Sequence, residues 1–131
     1  MGSLTSLSEY CVVDNRRRVC GRLMLVLLFS LLKGRLTLEG NNGITGHLPT
    51  EWGKMTDLEA LDLYHNEIIG TIPTEFGQMS NLLELELAHN FLQGEIPSEL
   101  GLLTQLKSLN LQRNAIKGTL PSEFGNMKNL G

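Results

Sequence analysis

Aromatic side chains are scarce in this sequence, 5% of 131 residues with a single tryptophan, so any core must be filled by aliphatic groups. There are only two cysteines, Cys11 and Cys20, both near the N-terminus. One pair cannot form a disulfide framework for the whole chain. Basic residues are not in excess: Lys and Arg total 11 against 14 Asp and Glu, a net charge of -3. That balance gives no general attraction for nucleic acid and too little acidity to dictate a basic partner. No asparagine is followed at the second position by Ser or Thr, so the N-glycosylation sequon is missing. Phosphate loop, zinc-type cysteine cluster and nucleophile elbow are missing too, which leaves nothing to support an enzyme or a cofactor. What is present is 41% hydrophobic residues in a chain of one-domain length, the composition of a folded protein.

The hydrophobic residues are arranged in a repeat of 24. Leu58, Leu82, Leu106 and Leu130 share one column, followed by Leu61, Leu85 and Leu109, then Leu63, Leu87 and Leu111. Asn66, Asn90 and Asn114 align next, then Ile68, Leu92 and Ile116, then Gly70, Gly94 and Gly118. Ile72, Ile96 and Leu120 each precede a proline, Pro73, Pro97 and Pro121. An earlier copy covers about residues 35–57, with its strand one residue out of step, which implies an insertion near Asn41, Asn42 and Gly43. So many matching columns in successive copies identify a solenoid of about four coils over residues 35–131.

Each column has a physical reason. Leucines two apart point to one face of a short strand, and stacking the coils sets these strands side by side in a parallel sheet. The Asn amide, turning inward after the strand, is expected to bond backbone groups of its own and the next coil as a ladder. Glycine permits a tight path, and proline, lacking an amide hydrogen, starts the return. Thr74-Glu75, Ser98-Glu99 and Ser122-Glu123 suit the first turn of a short helix. Trp52, Phe76, Leu100 and Phe124 then fall where they plug the convex side of the core.

The stretch NEIIGTIPTEFGQMSNL resembles the plant-type leucine-rich repeat of receptor-like kinases, receptor-like proteins and polygalacturonase-inhibiting proteins. The resemblance covers about three quarters of the chain. It implies an α/β solenoid: a right-handed horseshoe with a short parallel β-sheet on the concave face and 3₁₀ or short helical turns on the convex face. It also implies a binding role toward proteins, peptides or small signals, without naming a ligand. Extracellular members of this class often carry a disulfide-bonded cap, which Cys11 and Cys20 would supply; two free thiols in a leader are the other reading.

Residues 1–34 stand outside the repeat as a leader or cap. Arg16, Arg17, Arg18 and Arg22 precede an apolar segment, 23–32, broken only by Ser30. It is too short for a bilayer, which needs about 20 residues. It matches the apolar core of a secretory signal, about 7–15 residues, although Lys33 and Arg35 follow where small residues are expected. Signal, membrane anchor and buried cap all stay open. A secreted or membrane-associated protein is therefore one expectation, and a cytoplasmic one the alternative. At the other end, Leu130 and Gly131 begin a further coil with no polar cap, which suggests a longer protein or self-association through that edge.

Two surfaces are candidates for a partner. On the strand face, Asp62, Tyr64 and His65 are followed by Glu84, Glu86 and His89, then by Asn110, Gln112 and Arg113. Ala60, Ala88 and Ser108 share that face. These positions vary in type while the inward columns do not, as a recognition surface requires, and the acidic first half would suit a basic protein or peptide. The second surface is a flank where Ile69 and Phe91 point outward on neighbouring coils. His65 and His89 share a column near Asp62, Glu84 and Glu86, but Arg113 in the same column would repel a cation, so no metal site is expected. The functional expectation is a receptor-like binding module; the alternative is a structural segment of a larger membrane receptor.

Overall fold

The computed structural model describes residues 11–14, 17–20, 34–38 and 43–131. The apolar segment 23–32 and the insertion residues Asn41 and Asn42 lie outside the described residues. The strands are β1 (Cys11–Asp14), β2 (Arg17–Cys20), β3 (Gly34–Thr37), β4 (Thr45–His47), β5 (Leu58–Asp62), β6 (Glu67–Gly70), β7 (Glu84–Glu86), β8 (Phe91–Gly94), β9 (Ser108–Asn110) and β10 (Ala115–Ile116). β1 and β2 pair antiparallel, with Cys11 opposite Cys20 in the backbone register.

The remaining strands build two parallel sheets, one strand of each per coil. The concave sheet runs β3-β5-β7-β9 and pairs repeat-equivalent residues: Leu61 beside Leu85, and Leu85 beside Leu109. Leu36 pairs with Leu61, which places the insertion after the first strand; the register of β3 on β5 shifts once, between Gly34 and Arg35. The flank carries a second sheet, β4-β6-β8-β10, where the sequence pattern predicted only an outward-pointing surface. Its register is offset: Ile69 pairs with Phe91, two residues short of its repeat equivalent Gln93.

The core lies between these sheets and the 3₁₀ turns of the convex side. Leu58, Leu61, Leu63, Leu82, Leu85, Leu87, Leu92 and Leu106 are fully buried, each burial contributing about 1.5–3 kcal/mol before chain entropy is counted. Each convex segment is a five-residue 3₁₀ turn: Thr50–Lys54, Thr74–Gln78, Ser98–Leu102 and Ser122–Asn126. Proline occupies the residue before each turn, in extended geometry, and its carbonyl accepts the first turn bond, as from Phe76 N to Pro73 O at 3.2 Å. The Thr and Ser side chains do not cap these turns; Thr74 Oγ1 donates instead to its neighbour Glu75 at 3.3 Å. Trp52, Phe76, Leu100 and Phe124 are buried on the convex side as their column predicts. The Trp52 indole N–H, unlike the rings and chains of its equivalents, is a buried donor without an acceptor.

Glycine sets how closely the coils stack. A Cβ on Gly53, Gly77 or Gly101 would lie 2.3, 2.4 or 2.5 Å from the nearest atom of Glu75, Glu99 or Glu123 in the next coil. Only a hydrogen fits there. On the flank, Gly70, Gly94 and Gly118 have positive φ, and the outward side chains of His47, Thr71 and Glu95 lie over them.

The Asn ladder exists, but it runs backwards along the chain from the expected direction. Asn90 donates to Leu63 O and Leu87 O at 2.9 and 3.1 Å and accepts from Ile68 N at 3.1 Å. Asn66 reaches Leu38 O, Leu63 O and Ile44 N, and Asn114 reaches Leu87 O, Leu111 O and Leu92 N. Each side chain therefore ties its own coil to the preceding one, because the amide reaches carbonyls at the exit of the strand beside it. Among the described residues no helix is long and apolar enough to cross a membrane.

Candidate functional site

The concave sheet sets its outward positions in rows that cross the coils. One row is Arg35, Ala60, Glu84 and Ser108; the next is Thr37, Asp62, Glu86 and Asn110. Ala60 and Ala88, read from the sequence as exposed, are buried. A methyl group is too short to stand clear of the longer chains in the neighbouring strands. Over Ala60, the Arg35 guanidinium forms an ion pair with Glu84, two strands away. Arg35 escaped the sequence reading because its coil is the one out of step.

The other acids of the surface also have internal partners. Asp62 accepts the backbone N–H of Tyr64 at 3.0 Å, and Glu86 accepts that of Ala88 at 2.9 Å. Asn110 repeats the arrangement with Gln112 N at 3.1 Å and donates to the second Glu86 oxygen at 2.9 Å. This row fastens the turn that leaves each strand. Its carboxylates are less available to a basic partner than their charge alone suggests, because bonds already made must be given up.

Past these turns lies the next row: His65, His89 and Arg113. All three have positive φ, 57°, 56° and 53°, and they are the only non-glycine residues of the described chain that do. The left-handed conformation costs about 1–2 kcal/mol per residue with a Cβ. It is needed here because the chain must reverse to send the following Asn into the core. The fold dictates the backbone; it does not dictate imidazole, imidazole and guanidinium as the side chains.

These three residues line one hollow of about 300 Å³, together with Asn66, Glu67, Asn90 and Phe91. Tyr64 stands at its edge, with its ring edge-on to His89 at 5.1 Å and to His65 at 5.8 Å; the two imidazoles are 5.9 Å apart. Phe91 and Ile69 are 63% and 45% exposed on adjacent flank strands. The hollow thus joins the two surfaces that the sequence kept separate: the exit rim of the concave sheet and the apolar flank. Glu67 and Phe91 are its additions to the sequence-derived set, and Phe91 was visible beforehand as an outward aromatic.

Among the described residues neither Arg113 nor Glu67 has an ion pair or a side-chain hydrogen bond, and no group of three His, Cys, Asp or Glu gathers as metal ligands. A larger trough of about 670 Å³ lies at the entry side of the sheet, lined by Gly34, Asp57, Glu59, Asn81, Leu83 and Gln105. It is wide, open and without an aromatic or cationic side chain. The smaller hollow, with edge-on rings and a cation unpaired among the described residues, has the stronger means of recognition.

Comparison with known proteins agrees with this architecture. No curated protein sequence matches the chain. Among solved structures, the LRR ectodomain of the receptor kinase SOBIR1 from Arabidopsis thaliana superposes with a TM-score of 0.75 at 30% identity, over 92% of this chain and 64% of that one. PEPR1, in its complex with AtPEP1, gives 0.69 at 29% identity over 74% of this chain. The Arabidopsis receptor kinase HAESA, in complex with the peptide hormone IDA and the co-receptor SERK1, gives 0.57 at 32% identity over 74%. The chain spans 15% of the PEPR1 chain and 21% of the HAESA chain. Residues 57–79, 81–103 and 105–127 each match the Leucine Rich Repeat family. With more than half of its length so matched, the chain belongs to the leucine-rich-repeat family.

Proposed function

We propose that this solenoid is a non-enzymatic, receptor-like module that binds a protein or peptide along its concave face and exit rim. Asp62, Tyr64, His65, Glu84, Glu86, His89, Asn110, Gln112 and Arg113 form this surface, joined by Arg35, Glu67 and Phe91. The observation that carries the proposal is the row His65, His89 and Arg113: three side chains, not dictated by the fold, that line one exposed hollow beside Tyr64 and Phe91. Aromatic and Arg side chains grouped at a surface are those that most often dominate interface energetics. The similarity to receptor ectodomains solved with peptide hormones supports a peptide or protein as the partner, and a secreted or membrane-associated setting.

Panning a random-peptide display library against the full chain tests this. Peptides captured by the chain and lost on the Tyr64→Ala/Gln112→Ala variant would support the concave reading. Neither side chain there makes a hydrogen bond within the described residues, and a thermal melt matching wild type checks that the variant keeps its fold. Capture unaffected by the variant would move the site elsewhere. A second reading, a structural segment of a larger receptor, draws on the small share of the receptor chains that this one spans. Failure to enrich any peptide would favour it.

A further inference from the structure

Resting on that binding role, we propose that the exit-rim hollow receives an aromatic side chain carrying its own hydrogen-bond donor, tyrosine or tryptophan, from an extended peptide. The walls define what fits. His65, His89, Phe91 and the Arg113 guanidinium are planar groups around a space of about 300 Å³. That volume is at the small end of ligand sites, which run to about 1,000 Å³. It admits one side chain rather than a folded segment.

Charge narrows the choice further. Arg113 brings a cation and Glu67 an anion to the same hollow, and no ion pair joins them. An acidic side chain would gain from Arg113 and be repelled by Glu67; a lysine would do the reverse. A neutral ring satisfies the guanidinium through its face, since cations are attracted to the negative face of an aromatic ring. A phenol O–H or an indole N–H then donates to the Glu67 carboxylate, which has no side-chain donor among the described residues. Leucine offers neither interaction, and phenylalanine offers the first alone. Asn66 and Asn90, also on the lining, have their amides committed to the backbone ladder and make no further demand. The edge-on contacts of Tyr64 with both imidazoles show that these rings already pack with an aromatic neighbour.

The test uses four probes, the N-acetyl amides of tyrosine, tryptophan, phenylalanine and leucine, titrated into the full chain and followed by NMR. Tyrosine and tryptophan amides should shift the His65, His89 and Arg113 signals, phenylalanine amide should bind several-fold more weakly, and leucine amide should leave them unmoved. Arg113→Ala should weaken all three aromatic probes. Glu67→Ala should bring tyrosine and tryptophan down to the level of phenylalanine while leaving phenylalanine unchanged. Both residues are exposed, so a thermal melt matching wild type establishes that the fold is retained. Equal shifts from leucine amide, shifts confined to other parts of the solenoid, or equal effects of Glu67→Ala on tyrosine and phenylalanine would overturn the proposal. Display-selected peptides that depend on Tyr64 and Gln112 but need no such ring would overturn it too, while leaving the concave binding role standing.

Discussion

Asn66 and Asn90 donate to the same acceptor, the carbonyl oxygen of Leu63, at 3.1 and 2.9 Å. One oxygen thus serves the amides of two coils, and Leu87 O does the same for Asn90 and Asn114. Replacing Asn90 by leucine leaves the Ile68 N–H without its acceptor in a buried place, and leaves Leu63 O and Leu87 O one ladder donor each. We expect a loss of about 1–3 kcal/mol for that substitution. Asn114→Leu should be milder, because Asn114 is only half-buried and water can reach its partners. Urea unfolding of both variants checks the order; equal losses would remove the burial argument.

Gly77 and Gly125 occupy the same position in 3₁₀ turns two coils apart but have different neighbours. A Cβ on Gly77 would lie 2.4 Å from Glu99 O, whereas one on Gly125 meets nothing within 4 Å. Gly77→Ala should therefore destabilise by about 1–3 kcal/mol, the usual range for overpacking. Gly125→Ala should be neutral or slightly stabilising, since alanine restricts the unfolded chain more than glycine does. The two melting temperatures decide the matter.

The left-handed row should separate stability from recognition. His89→Gly relieves about 1–2 kcal/mol of backbone strain. It also adds about 0.5–1 kcal/mol of entropy loss on folding, so stability should stay within about 1 kcal/mol of wild type. Binding of the aromatic amides should fall in the same variant. Gly94→Ala is the converse: φ is 80°, Thr71 Cγ2 is 2.9 Å away, and a loss of more than 1 kcal/mol is expected. Calorimetry on the pair would show a large loss in His89→Gly if that side chain were a structural prop.

Charge reversal should act unequally on the acids of the concave face. Glu84 pairs with Arg35 at the surface, with side chains 48% and 62% exposed, and such a pair contributes about 0–1 kcal/mol. Glu84→Lys should thus be nearly silent in stability, its small effect fading in salt. Glu86→Lys removes the acceptor for Ala88 N and the partner of Asn110, and about 1–3 kcal/mol should be lost. Chemical denaturation at low and high salt distinguishes the two.

The direction of each side chain was legible in the sequence, because inward or outward orientation follows from local backbone periods. The leucine columns, Asn66, Asn90 and Asn114, and the convex Trp52, Phe76, Leu100 and Phe124 are buried or half-buried where their spacing put them. So too was the family, since a solenoid coil must repeat the same inward residues to bury anything. What surrounds each outward residue was decided by tertiary structure alone. The flank sheet is staggered so that Ile69 meets Phe91 and not Gln93, and no interval in the chain encodes that offset. Ala60 and Ala88 are buried only because longer side chains stand in adjacent strands. Asp62, Glu84 and Glu86 are engaged, while Arg113 and Glu67 are unpaired among the described residues, because pairing depends on distances across coils. Those distances follow from twist and stagger accumulated over the stack, which local sequence does not specify.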